Sequence, residues 1–239
     1  MKKIFLISLL LCSYSFSALT LADARQVTAA DLDMSKLKDV KDKKKRFFDF
    51  MRPIVIDENA KVLALREKLL DAKKNKNNHE LVAKAAESYS VKWTTGEESW
   101  KKLLERVDAV ALEVVLAQSA NESAWGQSRF AKQGNNFFGQ WCYRKGCGIV
   151  PKQRDKGTKH EVAKFKSVND SVRSYIKNIN VMRVYAPLRD IRRKNRAAGK
   201  KPDAMAQAGG LIKYSQRREK YVKEIRSMIR VNRKLMLGE

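Results

Sequence analysis

The sequence predicts a mainly α (α+β) protein, a helical domain with a small β-hairpin lobe and an N-terminal helical extension. Three observations predict it. Apolar residues recur at three- and four-residue steps through most of the chain. That periodicity disappears from Gln140 to Phe165, where glycines and Pro151 punctuate Trp141, Tyr143, Ile149, Val150 and Val162. A chain of 239 residues with 44% hydrophobic content also suffices to bury a core.

The first element is a targeting segment. Lys2 and Lys3 precede the apolar run Ile4 to Leu11, and Ala22-Asp23-Ala24 fits an A-x-A cleavage site, so residues 1–24 read as a secretory signal peptide and the protein as exported to the periplasm or cell envelope. Residues 25–95 form the extension. Its start, through the Lys41 to Lys45 cluster, reads as a loosely held arm or a frayed helix start. Phe47, Phe48, Phe50 and Met51 then precede Pro53, Asp57 is a plausible N-cap, and Val62, Leu63, Leu65, Leu69 and Leu70 follow at helical spacing. After the polar break from Lys73 to Asn78, a second helix through Leu81, Val82 and Ala85 closes an α-hairpin.

Residues 96–239 form the main domain. Thr95 with Glu98 fits a capping box for a helix through Trp100, Leu103, Leu104 and Val107. Val110, Leu112, Val114, Val115 and Leu116 are too apolar to be anything but buried, and this central helix delivers Glu122, with Gly126 ending it. Ser128 caps a short helix that stops at Gly134, and the β-lobe follows at about 140–165. Asn169 or Asp170 caps a helix with the stripe Val172, Tyr175, Ile176, Ile179 and Met182. Past the basic segment from Ile191 to Lys201, Gly209 and Gly210 break the chain, and Tyr214 to Leu235 reads as the last helix, with Tyr221, Val222, Ile225, Met228 and Ile229 on one face.

Charge and cysteine content narrow the chemistry. A net charge of +25 favours a polyanionic partner, and export points away from nucleic acid toward anionic envelope surfaces or a cell-wall polymer bearing carboxylates. Loss of residues 1–24 would leave Cys142 and Cys147 as the remaining cysteines. In an oxidising compartment this pair reads as a disulfide stapling a hairpin tip rather than a redox or metal site, and with only His79 and His160 in the chain no metal or cofactor is expected.

Glu122 is the candidate for chemistry. A carboxylate at a helix C-terminus meets the unfavourable end of the macrodipole, and an apolar neighbour such as Trp125 would desolvate it. Both effects raise its pKa, as a general acid requires. Asn136, Phe137, Phe138 and Trp141 supply the amide and flat apolar faces that sugar binding uses.

The stretch ANESAWGQSRFAKQGNNFFG resembles the signature of the bacterial peptidoglycan N-acetylglucosaminidases, glycoside hydrolase family 73. The matching positions are Ala117, Gln118, Glu122, Ser123, Trp125, Gly126, Ser128, Asn136, Phe138 and Gly139. The signature region covers roughly Val107 to Asp190. The resemblance implies a lysozyme-like fold, β-1,4-linked peptidoglycan glycan strands as substrate and partner, Glu122 as the acid, and Gln118, Ser123 and Trp125 among the substrate-binding residues. It also implies a cleft-lining Tyr185 and a second acidic residue in the β-lobe, where Asp155 and Glu161 are available and Glu161 is preferred for its place just before Val162. Without that second carboxylate, the substrate's own acetamido group can serve as nucleophile. Lytic transglycosylase cleavage and a non-catalytic envelope-binding module are the alternatives. Eighteen Lys and Arg against four Asp and Glu between Cys142 and Lys201 fit attraction to peptide carboxylates.

Overall fold

A computed structural model describes residues 26–152 and 157–239. The expected signal peptide and Asp155 lie outside these residues. Helix α1 (Val40–Asn75) opens the fold, capped by the Asp39 carboxylate, which accepts from the amides of Lys41 and Asp42. It runs unbroken through Pro53, so Asp57 is no N-cap; it lies mid-helix and pairs with Lys61 at 2.8 Å. Pro inside a helix costs roughly 3 kcal/mol. Phe47, Phe48, Met51, Ile54 and Val55, all buried around it, each return about 1.5–3 kcal/mol, so burial wins.

The residues before α1 are an ordered strap rather than a loose arm. A 3-10 turn at Ala29–Asp31 docks with Ala29, Leu32 and Met34 buried. Val27 exchanges with the start of a later helix, donating to Asn169 Oδ1 at 3.0 Å and accepting from Val168 N at 2.7 Å, and Ala29 N donates to Asn135 Oδ1 at 2.8 Å.

Helices α2 (His79–Ser88) and α3 (Glu97–Arg106) pack Val82, Ala85, Ala86 and Leu103 against Leu69 and Ala72 of α1 in a side core. The N-cap of α3 is Gly96, and Thr94, not Thr95, makes the local side-chain contact, with Ser99. Helix α4 (Leu112–Ser123) crosses the main core, burying Val114, Val115, Leu116, Ala117 and Ala120 against α1 and the last helix. Its start is pinned by borrowed side chains. Arg192 donates to the carbonyls of Glu105, Asp108 and Ala109, Arg66 to Val107, Asn59 to Val110, and Gln207 accepts from Ala111. These satisfy the polar groups that a helix end otherwise leaves bare.

Ser128 caps α5 (Arg129–Gly134) as expected, accepting from Ala131 N, and Asn135 ends it in the left-handed region. The β-lobe consists of β1 (Trp141–Cys142), β2 (Gly148–Ile149) and β3 (Glu161–Ala163), antiparallel with β3 in the centre; Trp141 faces Val162 and Gly148 faces Ala163. A Cβ on Gly148 would lie 2.0 Å from Val162 O, so this position requires glycine. Then come α6 (Val168–Val181), α7 (Ala186–Ala197), α8 (Ala204–Gly209) and α9 (Glu219–Leu237). Ser167 caps α6, since Asn169 is turned back onto Val27. Tyr214 sits in the turns before α9 rather than within it. No helix among the described residues is long and apolar enough to cross a membrane. The arrangement is mainly helical and lysozyme-like.

Candidate active site

Helix α4 ends in an unusual turn. Ala124, Trp125 and Gly126 all have positive φ, at 50°, 58° and 77°. Ser123 holds this turn, donating to Ser119 O at 2.6 Å and accepting from Gly126 N at 2.7 Å. Two non-glycine residues in this region cost of order 1–3 kcal/mol each, a strain that clusters at functional sites. Gly126 is needed twice over, for its φ and because a Cβ would lie 2.5 Å from Leu32 Cδ2 of the strap.

Just before the turn, the half-buried Glu122 points its Oε1 at Tyr221 on α9, whose hydroxyl donates at 2.7 Å; Asn121 Nδ2 donates to the same oxygen at 3.2 Å. Among the described residues Oε2 has no hydrogen-bond partner. Burial raises the Glu122 pKa above the usual carboxylate value, and the hydrogen bonds from Tyr221 and Asn121 and the charge of Arg217 offset part of that rise. Glu224 adds to it.

The wall on Glu122 is tyrosine. Tyr221 also accepts from Gln118 Nε2 at 2.8 Å, and Tyr175 donates to Gln118 Oε1, so a buried relay runs from α6 through α4 to α9. Tyr214 stacks on Tyr221 with centroids 5.3 Å apart, and Tyr185 lies 5.9 Å from Tyr214. Burial, with the Glu122 charge adding to it, pushes the Tyr185 hydroxyl up to about 12, and those of Tyr175, Tyr214 and Tyr221 rise as well. All four remain neutral donors at physiological pH.

The structure thus brings Glu122, Gln118 and Tyr185 together, and gives several of the expected sugar ligands other work. Asn136 is buried with its amide engaged on the loop, donating to Gln140 O and Ala163 O, both at 2.9 Å, and accepting from the amides of Phe138 and Gln140. Phe137 is a core residue beside Phe47 and Phe50. Phe138 stacks on Tyr175 at 4.0 Å and is buried, while Tyr214 donates to its carbonyl at 3.2 Å. Ser123 is fully buried in the turn. Trp125, expected to desolvate Glu122, packs edge-on against Phe47 and Phe48 at 5.5 and 5.4 Å instead. These corrections share a cause, since buried polar groups need hydrogen bonds and buried aromatic rings need packing partners, and these side chains find both in the corner, the loop after α5 and the core. Trp141 does stand out, 57% exposed and stacked on His160 at 4.0 Å.

Cys142 and Cys147 are joined in a disulfide. Glu161 lies beside them, buried, its Oε1 accepting from Gly146 N at 2.9 Å and its Oε2 from Gly148 N at 2.8 Å. The carboxylate therefore braces the disulfide loop from the central strand.

A sequence profile of the glucosaminidase family, described as mannosyl-glycoprotein endo-beta-N-acetylglucosaminidase, matches residues 97–234, which run from α3 through α9 and include Glu122 and Tyr221. The chain belongs to the glucosaminidase family. It is also similar to Protein bax of Escherichia coli (strain K12), with 30% identity over 211 residues that cover 85% of this chain and 75% of that protein. No solved structure matches. As a glucosaminidase the protein is a glycoside hydrolase of the peptidoglycan-related class.

Sequence reasoning did not place Tyr214, Arg217, Tyr221 and Glu224, from α9 and its approach, around Glu122. One signal was present, because a tyrosine in an otherwise aliphatic stripe needs a partner for its hydroxyl once buried.

Proposed function

We propose that the protein is an exported endo-β-N-acetylglucosaminidase that hydrolyses the β-1,4 glycosidic bonds of peptidoglycan with Glu122 as general acid. The observation that carries this reading is the half-buried Glu122 carboxyl at the end of α4, raised in pKa, with one oxygen held by Tyr221 and the other unpartnered. In its protonated state it donates to the leaving glycosidic oxygen as the C–O bond breaks and oxocarbenium character develops at the anomeric carbon. Glu122 then becomes a carboxylate, and the hydrogen bond from Tyr221 strengthens as charge arrives. Tyr185 lines the cleft beside this pair, and Trp141 offers an exposed aromatic face for a sugar ring.

Both Glu161 oxygens already accept backbone amides, which favours the substrate's acetamido oxygen as the nucleophile on the anomeric carbon. Water then opens the cyclic intermediate, returns a proton to Glu122, and leaves a reducing-end N-acetylglucosamine. Export is supported by the n-region, apolar run and A-x-A pattern of residues 1–24 and by a disulfide of the kind that persists in oxidising compartments. The test is release of dye from labelled sacculi by wild type and Glu122→Gln, with mass spectrometry of the products. Wild-type release that the variant loses, with reducing N-acetylglucosamine ends, is expected. Equal release by the two proteins, or 1,6-anhydro-muramic ends, would overturn the reading.

A further inference from the structure

The turn that follows Glu122 lines a groove of about 650 Å³. The strap forms one wall with Leu32 and Met34, and the turn forms the other with Ala124, Trp125 and Gly126. Lys43, Lys44 and Lys132 line it as well, and among the described residues none of the three is ion-paired. The ammonium of Lys44 sits 5.5 Å above the Trp125 ring, a contact that holds it over the groove. The one carboxylate in the lining, Asp33, accepts the amide and hydroxyl of Ser35 at its Oδ1, at 2.9 and 2.7 Å, and is outnumbered by the three lysines. The groove is therefore apolar and small-residue-lined at its base, cationic at its edge, and held in place where Leu32 meets Gly126 and Ala29 meets Asn135.

We infer that this groove is a subsite for the acidic, alanine-containing peptide that the glycan carries on alternate sugars. The inference rests on the proposed peptidoglycan substrate and extends it to the peptide. Methyl side chains suit the apolar walls, and free carboxylates suit three lysines that face a single carboxylate, Asp33. The groove shares its wall with the turn that follows Glu122, since Ala124 lies two residues after the acid, and a sugar at the acid has a peptide-bearing neighbour one linkage away.

The experiment titrates the free tetrapeptide L-Ala-γ-D-Glu-diaminopimelyl-D-Ala into the full chain and follows the Trp125 indole and Gly126 amide by NMR. Saturable shifts at these two groups are expected, with affinity weakened by about tenfold or more in Lys43→Ala/Lys44→Ala/Lys132→Ala, the scale of one lost charge-assisted contact. Absence of saturable shifts at millimolar peptide, or equal affinity in the triple variant, overturns the inference. So does a response of Trp125 to phosphatidylglycerol vesicles but not to peptide, or one that tracks protein concentration alone, since the occupant would then be a lipid or a second copy. Binding is read without turnover, so its failure leaves the role of Glu122 standing, and an inactive enzyme would leave the peptide result standing.

Discussion

Replacing Tyr221 with phenylalanine removes one oxygen from the site while leaving the ring that stacks on Tyr214. That oxygen donates to Glu122 at 2.7 Å and accepts from the buried Gln118 amide at 2.8 Å. An orphaned buried donor costs about 1–3 kcal/mol, so the variant should lose about that much stability at any pH. A hydrogen bond to an ionised acceptor is worth about 1.5–3 kcal/mol, more than one to the neutral acid, so the loss grows once Glu122 ionises. Burial already places the Glu122 pKa above its unfolded value, and such a carboxyl subtracts stability as pH rises through and beyond the unfolded value. The Tyr221 hydroxyl favours the carboxylate, so removing it moves the pKa further up.

Two measurements follow. In the pH profile of kcat/KM the alkaline limb, which reports loss of the acid's proton, should shift to higher pH in Tyr221→Phe. On the plateau below that limb the rate should fall by about tenfold or more, because the carboxylate formed in the transition state loses its donor. Tyr214→Phe is the control, since its hydroxyl donates to Phe138 O and not to Glu122. A limb that stays in place or moves down in Tyr221→Phe, or that moves equally in Tyr214→Phe, would refute the reasoning.

Asp108→Ala should be the more damaging of two charge deletions. It strips the buried Arg192 and Arg66 of their counter-charge and breaks the two-point contact with Arg196, costing about 3–5 kcal/mol in urea unfolding, whereas Asp190→Ala, in an exposed pair, should cost at most about 1 kcal/mol. Gly126→Ala forces a Cβ to 2.5 Å from Leu32 and strains φ at 77°, for a loss of about 1–3 kcal/mol; a double-mutant cycle with Leu32→Ala should recover the steric part, and strict additivity would disprove the contact. Joining cysteines five positions apart restricts a short loop, so Cys142→Ser/Cys147→Ser should lower stability by about 2 kcal/mol and leave helical circular dichroism unchanged in the folded state.

How much of this was legible follows from which interactions are local. The central helix, the Ser128 cap and the β-lobe with its cysteine pair all appear in the sequence as periodicity, spacing or turn residues. Glu122 stood out because its flanking turn lies next to it in sequence. Its partner did not, because Tyr221 is 99 positions away and at its own position is simply a large residue on the buried face of α9. The continuity of α1 through Pro53 was hidden for a related reason. Local propensity breaks the helix there, and only burial of Phe47, Phe48, Met51, Ile54 and Val55 against distant helices overrides it. Glu161 reads in the sequence as the second acidic residue of the β-lobe because the amides of Gly146 and Gly148, from which it accepts, reach it only once the disulfide loop folds over β3.

The chain's charge makes the site's electrostatics a problem that the fold has to solve. With a net charge of +25, nearby cations would stabilise the carboxylate form of Glu122 and leave it unprotonated, unable to act as an acid. The cation that does act on it is Arg217, and Arg217 is paired with Glu224 at 2.7 Å, one turn along α9 from Tyr221. Glu224 acts on Glu122 in the opposite sense and offsets part of the effect of Arg217. Beside these stand burial, the largest effect, which holds the proton, and the neutral hydrogen bonds from Tyr221 and Asn121, the shorter from Tyr221, which favour its release when charge develops. A neutral donor suits that task better than an arginine, because its hydrogen bond is weak to the acid and strong to the carboxylate, whereas a full positive charge at the same place would lower the pKa in the resting enzyme. The last helix is thus part of the acid's design. On the proposed role of Glu122 as acid, the tyrosine of this helix favours the carboxylate that forms in the transition state, and its glutamate offsets part of the pull of Arg217.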